Sequence, residues 1–353
     1  MDDDGVFRVG LIGYGFAGKT FHAPLIGAES KLKITMVASS DAAKVRADLP
    51  DTMIVSDPLA VATSPDLDLV VIASPNDSHA PLASAALKAG NNVVVDKPFT
   101  LDLQEARDLI ALADTHDRLL SVFHNRRWDS DFLSVKAAID TGLIGSVTHF
   151  ESHIDRFRPE VRQRWREGAG LGSGIWFDLG PHLIDQALQI LGLPIHVQAT
   201  LARQRQGAVT DDWAHVVLEY GHCRAILHAS MLVAGGSPRF TVHGTHGSLV
   251  KSHPDIQEQQ LLAGMTPGAT GWGDDPDDLT VYDEKGVPHR RAASPGDQRG
   301  YYAGIAAALA GQSPNPVPPR QALAVMSVLL SATRSAQEGI IVTPDFSECA
   351  GAY

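Results

Sequence analysis

The sequence predicts an α/β protein. A Rossmann-like, doubly wound parallel sheet is expected over residues 1–123. An α+β domain with a large, mostly antiparallel open sheet is expected over residues 124–353. Three observations carry this. A short apolar run, Phe7-Arg8-Val9-Gly10-Leu11-Ile12, leads into a glycine-rich turn. Strand and helix patterns alternate through the first third, as parallel sheets require. Beyond it, closely spaced alternating strands joined by tight turns take over.

The elements follow in order. Strands are expected at residues 8–12, 33–38, 69–73, 92–95 and 119–123. Leu69-Val70-Val71-Ile72-Ala73 is apolar throughout, which suits a strand covered on both faces. Residues 80–89 place Leu82, Ala85, Ala86 and Ala89 at helical spacing and stop at Gly90. Residues 103–113 repeat the pattern, with Asp102 or Thr100 as a cap. Further helices are expected at 132–141 and 182–191. Strands are expected at 147–156, 197–203, 214–220, 223–232 and 239–243. Residues 264–300, rich in Gly, Pro and Asp, read as a long loop or irregular insertion. A last helix is expected at 320–338.

Composition bounds the function. The chain has 353 residues, 44% hydrophobic and 20% charged, enough for two domains with sizeable cores. A formal net charge of −12 argues against nucleic acid, and Arg126-Arg127 and His289-Arg290-Arg291 are too short to form a basic face. The start, Met1-Asp2-Asp3-Asp4-Gly5, lacks the regions of a signal peptide. No apolar run approaches the ~20 residues of a membrane helix. Cys223 and Cys349 fit neither a metal spacing nor a disulfide framework. A cytoplasmic protein without membrane or nucleic-acid partners is expected.

The glycine turn fits two motifs. Gly13, Gly15 and Gly18 spell the dinucleotide fingerprint; Gly13, Gly18, Lys19 and Thr20 spell a phosphate loop. Either places phosphate at a helix N-terminus. Val93-Val94-Val95-Asp96 could supply the magnesium aspartate of a nucleotide hydrolase. Against this stand an antiparallel second half and the continuation Asp96-Lys97-Pro98, with Asp178 and His182 downstream. Pro24 disfavours a long helix after the turn in either case.

Gly13-x-Gly15-x-x-Gly18, Ser74-Pro75-Asn76 with His79, Asp96-Lys97-Pro98 and Asp178-x-x-x-His182 occur in this order. Together they resemble the glucose–fructose oxidoreductase / inositol dehydrogenase (Gfo/Idh/MocA) family. Phe21-His22-Ala23-Pro24 and Phe123-His124-Asn125-Arg126-Arg127-Trp128 are similar to the branch containing NADP-dependent scyllo-inositol dehydrogenases and related bacterial oxidoreductases. The resemblance spans nearly the whole chain. It implies an NAD(P)-dependent dehydrogenase or reductase acting on a hydroxyl or ketone of a cyclic polyol or sugar. It makes Lys97, Asp178 and His182 the catalytic group. It assigns cofactor contacts to Gly13, Tyr14, Gly15, Phe16, Ala17, Gly18, Ser39, Ser40, Lys44, Ser74, Pro75, Asn76, His79, Lys97 and Pro98. Asn125, Asp155, Arg156 and Trp165 become substrate-pocket residues.

Each residue also has a plainer role. Lys97 could be a solvated loop lysine. Because Pro181 suits only a first turn, a helix beginning near Asp178 would make Asp178 an N-cap. His182, four residues on, shares its face and has the pKa range of a general base. Ser39 and Ser40, with Lys44 behind, suit the 2′-phosphate of NADP; Asp41 would suit NAD unless it caps the following helix. NADP is preferred, with NAD the alternative. His149, Glu151, His153 and Asp155 alternate onto one strand face and include zinc ligand types, but a polar sheet face is the stronger reading, and no metal is expected. Asp274-Asp275-Pro276-Asp277-Asp278 lacks calcium-loop spacing and reads as a solvated acidic loop. The open sheet predicts a homo-oligomer, a dimer being favoured. Two alternatives stay open: a nicotinamide-dependent glycosidase on the same site, and a non-catalytic cofactor sensor.

Overall fold

The computed structural model describes residues 5–349 and 351–353; residues 1–4, the acidic start of the sequence, lie outside the described residues. The chain divides into two compact units. One contains the residues up to Asn125 together with Gln257–Trp272 and Asp297–Leu323; the other contains Arg126–Ile256, Gly273–Gly296 and Ala324–Tyr353.

In the first unit, among the described residues, six parallel strands form one sheet. They are β1 (Phe7–Ile12), β2 (Leu32–Ala38), β3 (Met53–Val55), β4 (Leu69–Ile72), β5 (Asn92–Val95) and β6 (Leu120–Val122), in the order β3-β2-β1-β4-β5-β6. The crossovers carry α1 (Ala23–Gly27), α2 (Ala42–Asp48), α3 (Pro58–Ala62), α4 (His79–Lys88) and α5 (Leu103–His116). Every residue of β4 is buried, as its unbroken apolar run required. The strand order turns back between β1 and β4, and the crevice at their carboxyl ends is the place for a ligand. The short strand β3, Met53-Ile54-Val55, is apolar but only three residues long and partly exposed, too brief to stand out as a strand in the sequence.

A single boundary after Phe123 captures the two sheets but not the returning segments. Their return has a local cause. Ser121 on β6 is buried; its hydroxyl donates to the Val317 carbonyl (3.1 Å) and accepts from Tyr301 (2.9 Å). Tyr301 and Tyr302 of the helix Arg299–Leu309 also meet the Phe123 ring, with centroids 4.9 and 5.8 Å away. The outer strand is thus covered by chain from far along the sequence.

The second unit carries a sheet of eight strands among the described residues. These are β7 (Val147–Asp155), β8 (His196–Ala202), β9 (Trp213–Glu219), β10 (Arg224–Ser230), β11 (Phe240–Gly244), β12 (Gly247–Lys251), β13 (Leu279–Tyr282) and β14 (Pro288–Arg291), ordered β14-β13-β12-β11-β7-β10-β9-β8. Only the central β7–β10 pair is parallel. Ala214, Val216 and Leu218 on β9, and Ala225, Leu227 and Ala229 on β10, are fully buried; the residues between them are partly exposed. This period of two gives the sheet one apolar face and one polar face.

Two expectations for residues 264–300 are corrected. The stretch is not a plain loop, because it contains the β13–β14 hairpin. β14 is wholly exposed and reads Pro-His-Arg-Arg, a charged edge with no apolar signature. Nor is the acidic run simply solvated. Asp275 and Asp277 hold the fully buried Lys251 ammonium at 3.1 and 2.6 Å. Among the described residues, no helix is long and apolar enough to cross a membrane.

Candidate active site

The glycine turn is built by steric exclusion. Gly13 has φ +95°, and a Cβ there would lie 2.6 Å from the Ala73 carbonyl oxygen. A Cβ on Gly18 would collide with the Gly13 carbonyl, whereas one on Gly15 would meet no protein atom within 4 Å. The first and third glycines therefore let the turn close, and the second leaves its open side to a phosphate. Pro24 does not end the helix. A π-helical turn, Gly18–His22, runs into α1, with Pro24 near the start of α1. The wider turn relieves the backbone conflict that an interior proline creates.

Side chains lock the loop from α2. Lys44 Nζ donates to the Tyr14 carbonyl (2.9 Å), and Tyr14 Oη donates to Asp48 (3.0 Å). Lys19 Nζ pairs with the same carboxylate at 2.7 Å, and this contact holds Asp48 below the usual carboxylate range. Tyr14 is 4% exposed, and burial with Asp48 beside it pushes the phenol up. Phe16 is 53% exposed and available to a ligand. The lysine of the phosphate-loop reading is thus engaged with protein. Asp41 caps α2 by accepting from Lys44 N (3.0 Å), and Ser39 Oγ accepts from Asp41 N (3.1 Å).

At the ends of β4 and β5 a buried histidine joins two loops. The His79 Nδ1 lies 2.9 Å from the Pro98 carbonyl and its Nε2 3.0 Å from the Ser74 carbonyl. Burial lowers its pKa, outweighing the attraction of Asp96. A neutral ring has one N–H and donates to one of these carbonyls at a time. Ser74 Oγ meets Ser78 Oγ at 2.6 Å, closing the turn that carries Pro75 and the buried Asn76. Asp96 is buried and accepts from Lys97 N at 2.8 Å. Burial works to raise its pKa, but His22, Lys97 and His79 prevail and bring it to about 2. The half-buried Lys97 leaves β5 directly into the cis Lys97–Pro98 bond.

His22 is fully buried between Asp96 (3.9 Å) and Tyr302 Oη (2.7 Å). Its partner Tyr302 lies 280 residues away, so no local pattern could reveal it. Asn125, expected at the substrate, is buried and donates to Gln298 Oε1 at 3.1 Å.

In the second unit, α6 (Ser130–Asp140) precedes β7, and α7 (Ile175–Leu191) follows it. α7 begins three residues before Asp178, which corrects the expected start. Pro181 sits inside the helix. Asp178 is therefore not the cap: its own N–H donates to the Gly174 carbonyl at 3.1 Å. Gly174, at φ +99°, precedes the helix, and a Cβ there would collide with Asp211. Asp211 supplies the terminus instead, accepting from Ile175 N with its carbonyl (2.9 Å) and from Trp176 N with its carboxylate (2.8 Å). Burial pushes the Asp211 carboxyl up, and the Trp176 bond opposes it. The sequence around Asp178 gave no sign of this partner, which lies 35 residues beyond Trp176.

Asp178 instead faces two guanidinium groups, Arg156 Nη1 and Arg166 Nε, each 3.5 Å away. Arg166 also lies over the Trp165 ring at 4.6 Å, and Trp165 is 42% exposed. Arg205 secures this arginine-rich segment through Glu167 (3.1 Å), Asp212 (2.9 Å) and the carbonyls of Arg158 and Glu160. His182 is 7% exposed, one turn beyond Asp178. The bidentate Arg127–Asp185 pair (2.6 and 2.9 Å) fixes the next turn of α7. Asp178, Arg156 and Trp165 thus belong to one constellation. Asp155 does not; it lies with His153 and His228 on the sheet.

The fold and the glycine turn define a nicotinamide-nucleotide-binding class, and comparison with known proteins specifies it. Residues 7–124 match the model of the oxidoreductase family's NAD-binding Rossmann fold, and residues 136–343 match that of its C-terminal alpha/beta domain. The chain belongs to the Gfo/Idh/MocA oxidoreductase family and carries its NAD(P)-binding Rossmann domain. It is 51% identical to the uncharacterised oxidoreductase YdgJ of Escherichia coli, covering 94% of this chain and 96% of that one. It is 35% identical to the scyllo-inositol 2-dehydrogenase (NADP(+)) IolW of Bacillus subtilis, covering 94% of each. A solved structure from Klebsiella pneumoniae is 60% identical, with a TM-score of 0.92 over 96% of each chain.

Proposed function

We propose that this oxidoreductase interconverts a secondary hydroxyl and a ketone on a cyclic polyol or sugar, with NADP(H) preferred. The observation that carries the reading is the start of α7, where Asp178 is flanked by Arg156 and Arg166 and followed one turn later by the buried His182. The likeness to IolW supports the polyol class. Capping of α2 by Asp41 supports NADP, because the acidic residue at the end of β2 is occupied and Ser39 and Ser40 remain beside Lys44.

The glycine turn fits the cofactor, since Gly15 leaves room where a pyrophosphate approaches. When bound, the nicotinamide supplies the hydride acceptor or donor. The chain's own groups do the rest. The Lys97 ammonium donates to the reacting oxygen and stabilises negative charge growing there. His182 takes the hydroxyl proton in oxidation and returns it in reduction. Asp178, paired with its two arginines, orients the substrate or His182. A homodimer through the polar face of the second sheet completes the proposal.

The test begins with a panel of inositols, sugars and sugar acids, followed at the nicotinamide absorbance with both cofactors. With the best substrate, Lys97→Ala and His182→Ala are each expected to lose on the order of a hundredfold or more in turnover. NADPH affinity, titrated by fluorescence in the same variants, should stay within about tenfold, ~1.4 kcal/mol. Near-normal turnover of His182→Ala removes it as the base. Equal or tighter NADH binding by the wild type overturns the NADP preference.

A further inference from the structure

The polar face of the second sheet carries a row of histidines that the proposed reaction does not use. His153 on β7 and His228 on β10 are direct register partners, and His228 is in turn the partner of His215 on β9. Residues in register on neighbouring strands share a face, and so does Asp155, two positions beyond His153. The alternation of His149, Glu151, His153 and Asp155 on one strand did not suffice for a site. The sheet selects two of these four and adds a third group from the adjoining strand.

We propose that His153, Asp155 and His228 form a binding site for a first-row divalent transition metal, of which zinc matches the donors best. One ligand atom from each residue lies within 4.8 Å of the other two. Asp155 Oδ2 is 3.4 Å from His153 Nδ1, and Asp155 Oδ1 is 3.7 Å from His228 Nε2. These spacings are long for hydrogen bonds. They are close to the edge of a zinc tetrahedron, roughly 3.3 Å for bonds of about 2.0–2.1 Å. Two imidazoles and one carboxylate form a known ligand set for zinc and for other imidazole-favouring ions.

Two further observations point to a ligand. Both Asp155 carboxylate oxygens and His153 Nδ1 are buried and make no well-aligned hydrogen bond, although the Ser237 side chain also lies against the carboxylate, and the Asp155 side chain is only 3% exposed. A carboxylate so placed calls for a cation. The surrounding contacts also orient the ligands. His153 presents Nδ1 to Asp155 while its Nε2 meets Glu151 Oε1 at 2.7 Å, the carboxylate–histidine arrangement that fixes a metal-binding ring. The Trp213 ring packs edge-on to His228 at 5.5 Å and holds it toward Asp155. Three protein ligands leave a fourth position, which water fills.

The measurement is zinc content of the purified full chain after chelation, reloading with zinc chloride and dialysis. About one zinc per chain is expected for the wild type. Asp155→Asn and His228→Ala should lose it, and Glu151→Gln should weaken affinity roughly 10–100-fold, as loss of an orienting partner does. His149→Ala, on the same strand face but outside the three ligands, should keep the zinc. Zinc should raise the thermal midpoint of the wild type and of His149→Ala, but not that of His228→Ala. Cobalt loading of the wild type should give a visible spectrum of low-coordinate, nitrogen- and oxygen-bound metal. The proposal falls if the wild type retains no more zinc than His228→Ala. It falls equally if His149→Ala loses zinc as fully as Asp155→Asn, which would mark diffuse binding by a histidine-rich face.

Discussion

Two helix starts carry the proposed chemistry, and they are built in opposite ways. The turn after β1 is set by its own glycines against backbone: Gly13 has positive φ and lies against the Ala73 carbonyl, and Gly18 must lack a side chain because the Gly13 carbonyl occupies its place. The start of α7 also uses a positive-φ glycine, Gly174, but its terminal N–H groups are satisfied by Asp211 from a distant loop. Asp178 is held by arginines from two further positions, 156 and 166. A phosphate-binding turn needs backbone alone, so a short motif specifies it. A charged side chain in a partly buried place needs counter-charges, and those come from wherever the fold brings them.

The comparison breaks most readily at the glycines. Gly18→Ala forces a methyl against a backbone carbonyl that cannot yield, and about 3 kcal/mol of stability should be lost in urea unfolding. Gly15→Ala should leave stability within about 0.5 kcal/mol. It should nonetheless weaken NADPH binding by about tenfold in fluorescence titration, because its methyl enters the space kept for the phosphates. Equal stability losses in the two variants would undo the division between closing and ligand-facing glycines.

Asp96 sharpens the first unit's side of the comparison through pH. Burial disfavours its charge, yet His22, Lys97 and His79 hold its pKa near 2, below its ordinary value of 3.8. A carboxylate depressed in this way contributes stability above the unfolded pKa and loses it as pH falls toward the folded one. On the order of 2 kcal/mol should therefore disappear between about pH 5 and pH 2 in the wild type relative to Asp96→Asn. Parallel stability curves for the two proteins across that window would show that Asp96 is not held by charge.

The smallest effect is expected at the remote cap. Asp211→Ala removes the acceptor of Trp176 N, and about 1 kcal/mol of stability should go with it. Asp211→Asn keeps an acceptor and should recover most of the loss in thermal unfolding. If Asp178→Asn instead produced the capping loss, the local reading of the α7 start would be restored over the remote one.

Local chain chemistry is enough to specify the parallel sheet, the glycine turn and the position of Lys97. Apolar runs, glycine exclusions and strand ends are consequences of chain chemistry over a few residues. It also specified the alternation that gives the second sheet its polar face. Sequence spacing places α7 three residues late, because a proline was assigned to the first turn that the helix accommodates in its interior. The edge hairpin β13–β14 is not legible in the sequence, because an exposed edge strand needs no apolar pattern. The company that charged and polar groups keep follows instead from how the chain folds back on itself. Tyr302 comes to His22, Asp211 to Trp176, two arginines to Asp178, and His228 to His153 and Asp155. A buried polar atom must find a partner, but nothing in its neighbouring residues says which one, since strand register and chain return set that choice.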